Sequence, residues 1–463
     1  MSEPARCAEQ LTQSQTRWAS RPRYAMVKSV LRALAHAFLA GELDAEQIVA
    51  RAGHTLGKPC PWLGPLASRY VEAVGGHTRP RLREVVRFLR EDQVLARALQ
   101  RHRHTLTVAE WLHEPQRMQP AAAAASWEVP VIESAGALAN WLGLLPTELD
   151  WFADLKRLGF RQGEAHFRHY YYRVVSKPAG GFRLIEAPKT RLRRIQRQIL
   201  AEILEKVPMH PAVHGFVKGR SIKTFAAPHV GRRVVLRMDL QDFFPSFSSA
   251  RIQAFVRTMG YPEPVADLLG GICTTVTPRD IWENAGRWDE RELYTRPHLP
   301  QGAPTSPMLS NLCSFRMDCR LAGLARTIGA EYSRYADDLA FSGDDEAARS
   351  LERLPPYVAA IVAEEGFSVN HRKTRIMRQG VRQHLAGLVT NKRINVARVD
   401  FDRLKAVLTN CVRHGPESQN REGHREFRAH LEGRVSFVEM VNPAKGSRLR
   451  SIFSKIEWPE RAQ

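Results

Sequence analysis

The chain has 463 residues, a length typical of about three domains, and a net charge of +21 from 69 lysines and arginines against 48 acidic residues. This excess of cations favours salt-dependent binding to the phosphates of nucleic acid. A membrane partner is not expected, because no apolar run reaches the roughly 18 residues that span a bilayer and no signal peptide pattern opens the chain. The six cysteines form no Cys-x-x-Cys pair, which argues against a zinc site or disulfide framework and fits the reducing cytoplasm.

The first 117 residues have a helical pattern and are predicted to form an N-terminal extension, joined by a linker at 118–130 to the rest of the chain. One predicted helix of this extension carries arginines at helical intervals on one face, opposite an apolar face. These arginines are Arg83, Arg87, Arg90, Arg97 and Arg101. The surface is either a solvated charged face or an RNA contact.

From residue 131 onward, the pattern mixes helices and strands. A strand-like run from Arg232 to Phe244 places Asp239 near its end, with aromatic residues after that acid. Further along, Pro-Gln-Gly at 300–302 lies in a predicted rigid loop that opens a helix at Ser306. Gly302 has no side chain, so a base or sugar would be able to approach its backbone closely. An ordinary proline-rich loop is the alternative.

The segment Tyr335-Ala336-Asp337-Asp338 is predicted to be a tight turn between two strands. Two adjacent carboxylates repel each other unless a cation joins them, and hard divalent cations bind carboxylate oxygens. A solvated turn is the alternative. If Asp239 ends a neighbouring strand of the same sheet, its carboxylate converges with that of Asp337 on a two-metal site, with the ions roughly 3.5–4 Å apart. Such a site catalyses nucleotidyl transfer.

Taken in order, these three segments resemble the palm of a reverse transcriptase: Asp239 with its aromatic residues, Pro-Gln-Gly, and Tyr-Ala-Asp-Asp. Residues 170–189, 196–200 and 214–222 resemble further blocks of the bacterial enzymes, most of all the retron reverse transcriptases. The resemblance covers about residues 131–457. Two blocks depart from the retron pattern. Phe225-Ala226-Ala227-Pro228-His229 stands where Asn-Ala-x-x-His is usual, and Leu385-Ala386-Gly387 where Val-Thr-Gly is usual.

The resemblance implies an α+β right-hand polymerase with fingers and palm at 131–395 and a helical thumb at 396–463. It implies an RNA-directed DNA polymerase that uses dNTPs, copies a cognate structured noncoding RNA into DNA, and serves anti-phage defence with an effector protein. Two alternatives stay open. One is a reverse transcriptase of another bacterial defence lineage, and the other is an RNA-binding scaffold with secondary catalysis.

The resemblance also assigns roles to individual residues. Asp239, Asp337 and Asp338, with the carbonyl of Leu240, would hold two Mg²⁺ ions, or Mn²⁺ in their place. The substrate-binding residues would be Lys177 and Arg183 at the triphosphate, Gln301 and Gly302 at the nascent base pair, Tyr335 at the primer end, Lys373 at the pyrophosphate and Phe244 beneath the sugar. An aromatic residue at 244 favours dNTPs, because it blocks a 2′-hydroxyl. The alternatives are a core phenylalanine at 244 and a surface lysine at 373.

Overall fold

A computed structural model describes residues 21–74, 80–102, 105–112, 117–158, 165–176, 182–285 and 292–458. Its mixture of helices and strands confirms the predicted α+β class. The chain forms two compact units, the first made of Met1–Val207 and Ser248–Thr305, the second of Pro208–Phe247 and Ser306–Gln463. Lys177, predicted to contact the triphosphate, lies outside the described residues.

In chain order, the described strands are β1 (Tyr170–Ser176), β2 (Phe182–Pro188), β3 (Val234–Gln241), β4 (Glu331–Tyr335), β5 (Asp338–Gly343), β6 (Ser368–Val369), β7 (Arg375–Arg378), β8 (His384–Leu385), β9 (Leu388–Val389) and β10 (Asn395–Val396). The described helices are α1 (Arg21–Leu39), α2 (Ala45–Leu56), α3 (Leu63–Val74), α4 (Leu82–Glu91), α5 (Gln93–Arg101), α6 (Ala135–Leu142), α7 (Pro146–Ala153), α8 (Thr190–Glu202), α9 (Ile222–Ala226), α10 (Ser249–Thr258), α11 (Glu263–Cys273), α12 (Arg279–Ala285), α13 (Ser306–Cys313), α14 (Phe315–Thr327), α15 (Asp345–Glu364), α16 (Arg398–His414), α17 (Phe427–Val441) and α18 (Pro443–Phe453).

Helices α1 to α5 of the first unit pack around an apolar cluster that includes Leu34, Phe38 and Tyr70. The expectation of one continuous arginine-bearing helix is wrong, because α4 ends at Glu91 and a new helix begins after Asp92. Asp92 has extended backbone, and its carboxylate accepts a hydrogen bond from Leu95 N at 2.8 Å, so it caps α5. The five predicted arginines are exposed, three on α4 and two on α5.

The segment predicted as a linker lies against the turn between α10 and α11. Gln119 N donates to Gly260 O at 2.9 Å, and Ala121 N donates to Thr258 O at 3.0 Å. Gly260 has φ 101°, and a Cβ there would lie 2.4 Å from Pro120 N, so only glycine fits this close approach. Segment 118–130 is therefore held by main-chain hydrogen bonds within the first unit.

The start of α4 is also bonded to α10 and α11. Arg81 donates to the Gln253 side chain at 2.9 Å, and Leu82 N donates to the Glu263 carboxylate at 2.6 Å. The N-terminal helices thus share contacts with later elements of the first unit.

The second unit is built on an antiparallel sheet of order β4-β5-β3-β6, with β7 also paired to β3. β3 reads Val-Val-Leu-Arg-Met-Asp-Leu-Gln and is buried along almost its whole length, which explains its nearly continuous apolar run. Helix α15 packs on β3 and β5. This packing leaves the end of β3 that carries Asp239 beside the turn between β4 and β5.

The C-terminal region, predicted to be helical, contains α16, α17 and α18. These helices surround a cluster that includes Leu404, Leu431 and Leu449. Among the described residues, no helix is long and apolar enough to cross a membrane. Of the cysteines in the described ranges, those at positions 60, 273, 319 and 411 are free thiols.

Candidate active site

The three predicted catalytic acids lie together at one end of the second unit's sheet. Asp239 of β3 pairs directly with Asp338 of the antiparallel strand β5. Directly opposed residues of such a pair project from the same face, with Cβ atoms about 4.5–5.5 Å apart. Because Tyr335 pairs with Asp338, Ala336 and Asp337 form the two-residue turn between β4 and β5.

Main-chain hydrogen bonds tie the end of β3 to its surroundings. Leu240 N donates to Asp337 O at 2.9 Å, and Asn370 N donates to Asp239 O at 2.7 Å. Leu240, the predicted carbonyl ligand, is itself buried. The backbone at the acids is therefore fixed from two sides.

Lys373 contacts the first acid directly. Its Nζ lies 2.9 Å from Asp239 Oδ1 and 3.0 Å from Oδ2, while the Lys373 side chain remains half exposed. The interpretation of Lys373 as a simple surface lysine does not account for this ion pair with a buried carboxylate. The ammonium group supplies a positive charge at the position where two carboxylates face each other.

Asp338 has a different environment. Burial is the main reason that its pKa is raised to about 6; Arg237 opposes the shift, and the charges of Asp337 and Asp239 add to it. Arg237 Nε lies 3.5 Å from Asp338 Oδ1, yet neither of these buried atoms makes a hydrogen bond. The carboxylate of Asp338 thus keeps an oxygen that can accept a hard cation.

The donor set suits a divalent ion, since it consists of carboxylate oxygens on one sheet face. Within the described ranges, however, no three His, Cys, Asp or Glu side chains are gathered into a group that could hold a metal ion. The fold places the three acids as neighbours, and the Lys373 ammonium is bonded to Asp239.

A buried ion pair holds the acidic turn. Arg334 and Asp318 are both fully buried, and Arg334 donates to the two Asp318 oxygens at 2.7 Å each. The same guanidinium donates to Ala336 O and to Asn311 Oδ1, both at 3.0 Å. Arg334 therefore links the carbonyl before Asp337 to helices α13 and α14.

Ala336 adopts a backbone conformation that non-glycine residues rarely take, with φ 55°. The left-handed region costs such a residue roughly 1–2 kcal/mol. Gly215 packs against this turn so closely that a Cβ would lie 2.6 Å from Ala336 N, and Asn311 Nδ2 donates to Gly215 O at 2.7 Å. Contacts on both sides thus hold the strained turn in place.

Aromatic rings line the neighbourhood of the acids. Phe216, which is half exposed and has φ 60°, lies 6.1 Å from the Phe244 ring and 6.4 Å from the Tyr335 ring, measured between centroids. Phe243 is buried against Phe247. Phe244 is only partly buried, so its ring is not a core residue of the same kind as Phe243.

The block that departs from the retron pattern lies beneath this turn. Phe225 and His229 are fully buried, and the Phe225 ring lies 5.8 Å from that of Tyr335. His229 bridges the hydroxyls of Ser333 and Ser342 at 2.6 Å each. The pKa of His229 is lowered to about 3, chiefly by burial, so the ring is neutral. These side chains support β4 and β5 from inside the unit.

Three further predicted residues belong to the first unit. Arg183 is exposed on β2, opposite Val175 of β1. Gln301 and Gly302 lie in the predicted loop before α13, where Glu186 N donates to Gln301 O at 2.9 Å.

Sequence reasoning missed Arg334 and Phe216 as parts of the site. Arg334 stands directly before the Tyr-Ala-Asp-Asp segment, and a lone arginine within a strand-like run is the signal that was available. Phe216 lies within residues 214–222, which the sequence assigns only by resemblance to the bacterial enzymes. Its contact with Phe244 and Tyr335 depends on tertiary structure.

Comparison with known proteins gives a consistent result. The reverse transcriptase (RNA-dependent DNA polymerase) family matches residues 175–401. The chain is 46% identical over 299 residues to the retron Mx65 reverse transcriptase of Myxococcus xanthus, a match that covers 64% of this chain and 66% of that protein.

Two further relatives carry the same kind of name. Identity to the retron Mx162 reverse transcriptase of Myxococcus xanthus is 38% over 340 residues, covering 70% of this chain and 67% of the relative. Identity to the retron Ec86 reverse transcriptase of Escherichia coli is 30% over 295 residues, covering 63% of this chain and 82% of the relative. The chain thus spans about two thirds of the length of the two Myxococcus proteins.

The buried pair predicts a large loss of stability on substitution. In Arg334→Met, Asp318 stays buried without its cation, so the free energy of unfolding should fall by about 3–5 kcal/mol in urea denaturation. Arg316→Met is the matched control, because Arg316 is exposed and lies 3.2 Å from Glu365, and it should cost less than about 1 kcal/mol. Equal losses in the two variants would contradict the assignment.

Proposed function

The chain belongs to the bacterial retron-type reverse transcriptases, a family of RNA-directed DNA polymerases, and we propose that it extends a primer with dNTPs on an RNA template at the acidic turn of the second unit. The observation that carries this proposal is the direct pairing of Asp239 with Asp338 beside Asp337. Carboxylates from adjacent strands, close to one another on one face, are the arrangement that nucleotidyl transfer requires.

The three aspartates and the Leu240 carbonyl would hold two Mg²⁺ ions, with Mn²⁺ as a substitute. Bound there, the ions would lower the pKa of the primer hydroxyl and neutralise the leaving pyrophosphate. The available oxygen of Asp338 supports this assignment. Lys373, which forms an ion pair with Asp239, would act at the pyrophosphate, and that role is what the family resemblance implies.

The remaining substrate contacts are proposed on the same basis. Arg183 and Lys177 would bind the triphosphate, and the exposed position of Arg183 on β2 supports its share of this role, since the planar guanidinium pairs with phosphate oxygens. Gln301 and Gly302 would line the nascent base pair, and Tyr335 the primer end. Phe244 would exclude the 2′-hydroxyl, in keeping with its partly exposed ring.

We further propose that the template is a cognate structured noncoding RNA and that the DNA product serves anti-phage defence in the cytoplasm together with an effector protein. The retron names of the relatives support the RNA. The proposed division keeps the helical extension at 1–117, the connection at 118–130, fingers and palm at 131–395 and the thumb at 396–463. The intact acidic set disfavours an RNA-binding scaffold, and a structured RNA gene beside this reading frame would distinguish a retron from another defence lineage.

Removing one charge at the turn tests the catalytic assignment. Asp337→Asn keeps the shape of the side chain but weakens metal binding, so primer extension on an RNA template should fall by about 10²–10³-fold or more. Primer extension would be measured with Mg²⁺, and circular dichroism of the same samples would check that the variant is folded. Asp345→Asn is the control, because Asp345 is an exposed aspartate at the start of α15. This variant should extend the primer as wild type does. Comparable extension by Asp337→Asn would overturn the site.

Sugar selection gives a second test. Phe244→Val should admit ribonucleotides better than wild type by about tenfold or more, because the smaller side chain leaves room for the 2′-hydroxyl. Direct competition between dNTP and NTP on one template measures the change. Phe315→Val, which alters an exposed phenylalanine on α14, should leave selectivity unchanged. A folded Phe244→Val with wild-type selectivity would return Phe244 to a packing role.

The arginine surface of α4 and α5 is proposed to bind RNA. Substituting Gln at Arg83, Arg87 and Arg90 should weaken RNA binding and reduce its salt slope by roughly one unit for each phosphate that the variant no longer neutralises. Extension of a generic annealed primer should persist. The control replaces the exposed arginines Arg326, Arg349 and Arg353, which changes the net charge equally outside the helical extension. If the variant with Gln at the three α4 positions keeps the RNA affinity and salt slope of wild type, the arginine surface is either solvated or a contact for a protein.

A further inference from the structure

A cluster of buried polar side chains lies behind the Pro-Gln-Gly loop of the first unit. Glu186 of β2, Thr277 and His298 are each at most 1% exposed. Thr277 donates its hydroxyl to Glu186 Oε1 at 2.7 Å, and His298 Nε2 lies 2.9 Å from Glu186 Oε2. None of these residues belongs to the acidic site or to the predicted substrate contacts.

The hydrogen bonds fix the charge state of this cluster. His298 Nδ1 lies 2.8 Å from the carbonyl oxygen of Arg296, which can only accept, so Nδ1 carries a hydrogen. Thr277 donates its hydroxyl to the other oxygen of Glu186, so that oxygen acts as an acceptor. Burial alone would lower the pKa of His298, but the charge and hydrogen bond of Glu186 outweigh it and raise that pKa. The pair is therefore an imidazolium and a carboxylate, and both ring nitrogens and both carboxylate oxygens are hydrogen-bonded.

Glu186 also contacts the loop through its main chain. Its N–H donates to Gln301 O at 2.9 Å, and a Cβ at Gly302 would lie 2.9 Å from Glu186 O. Gly302 has φ 141°, so both its conformation and its surroundings require glycine. His298, three residues before Gln301, exchanges two main-chain hydrogen bonds with Thr275 at 3.0 Å each.

We propose that Glu186 and His298 are positioning residues that hold the loop of Gln301 and Gly302 in the conformation that receives the base of an incoming dNTP. This inference rests on the proposed function, which assigns that loop to the nascent base pair. A buried ion pair contributes little net stability relative to apolar residues of the same volume. Its directional bonds do fix the orientation of both partners, and one partner is bonded to the loop directly.

The test compares a variant that keeps the hydrogen bonds with one that removes them. Gln at position 186 can accept from Thr277 and donate to a neutral His298, so Glu186→Gln should keep kcat/KM for dNTP within about threefold of wild type. Glu186→Leu has similar volume and no such bonds. Its kcat/KM should fall by about 10- to 100-fold, mostly through a higher KM for dNTP, because a small displacement of a positioning loop is costly. A role limited to stability would lower Tm in Glu186→Leu and leave KM unchanged.

Two further variants complete the design. Thr277→Val removes only the hydroxyl, should fold, and should raise KM for dNTP by about threefold or more, which keeps the inference testable if Glu186→Leu does not fold. Glu365→Leu is the matched control, because Glu365 is a buried glutamate paired with Arg320 at 2.8 Å in the second unit. It should lower Tm without changing KM for dNTP.

The outcomes separate the two proposals. If wild type does not extend a primer on RNA, the proposed function fails and this inference fails with it. If wild type extends and Asp337→Asn does not, the function stands. An unchanged KM for dNTP in folded Glu186→Leu or in Thr277→Val then overturns the positioning role alone. An equal rise in KM in Glu365→Leu would also overturn it, because the effect would come from reduced stability.

Discussion

The buried ion pair between Arg334 and Asp318 is the interaction on which the geometry of the acidic site depends. The Arg334 guanidinium donates hydrogen bonds to both carboxylate oxygens of Asp318, to the Asn311 side chain and to the carbonyl of Ala336. The Tyr332 hydroxyl also donates to Asp318. Removing two charges from water costs several kcal/mol each, so such a pair persists only where its lone pairs and protons are all bonded. The result is a strained turn fixed to two helices, with Asp337 held beside the end of β3.

The second unit also places cations against the acids of the site itself. Three acids crowd one end of the sheet, and two cations of the same unit, Lys373 and Arg237, lie against Asp239 and Asp338 respectively. Their contacts differ, because Lys373 bonds both oxygens of its partner, whereas Arg237 leaves an Asp338 oxygen without a hydrogen bond. In this site Asp239 is already paired with Lys373, whereas Asp338 has a pKa raised above its ordinary value and an oxygen that can still accept a cation.

The sequence predicted the parts of this site that depend on local pattern. Alternating and apolar runs indicated β3, the strand–turn–strand around Asp337 and the helix that begins at Ser306, and the resemblance supplied their order. The prediction of a single long helix bearing the five arginines was wrong. The helical spacing of the arginines continues past Asp92, but the carboxylate of Asp92 caps the start of a second helix. Arg334, Phe216 and the Lys373–Asp239 pair depend on contacts between distant segments, which composition and spacing do not encode.

Among the described residues, the two buried histidines show that residue type alone does not determine whether a side chain is charged. His229 meets two serine hydroxyls, and because Ser333 already donates to Phe225 O, the Ser333 oxygen accepts from His229 Nε2. Burial lowers the pKa of His229 to about 3 and so keeps its ring neutral. His298 meets a carbonyl and a carboxylate, both acceptors, and so keeps both protons. Burial acts on both rings in the same direction, toward the neutral form. The partner atoms decide the outcome, so one histidine bridges two strands without charge while the other fixes a loop through an ion pair.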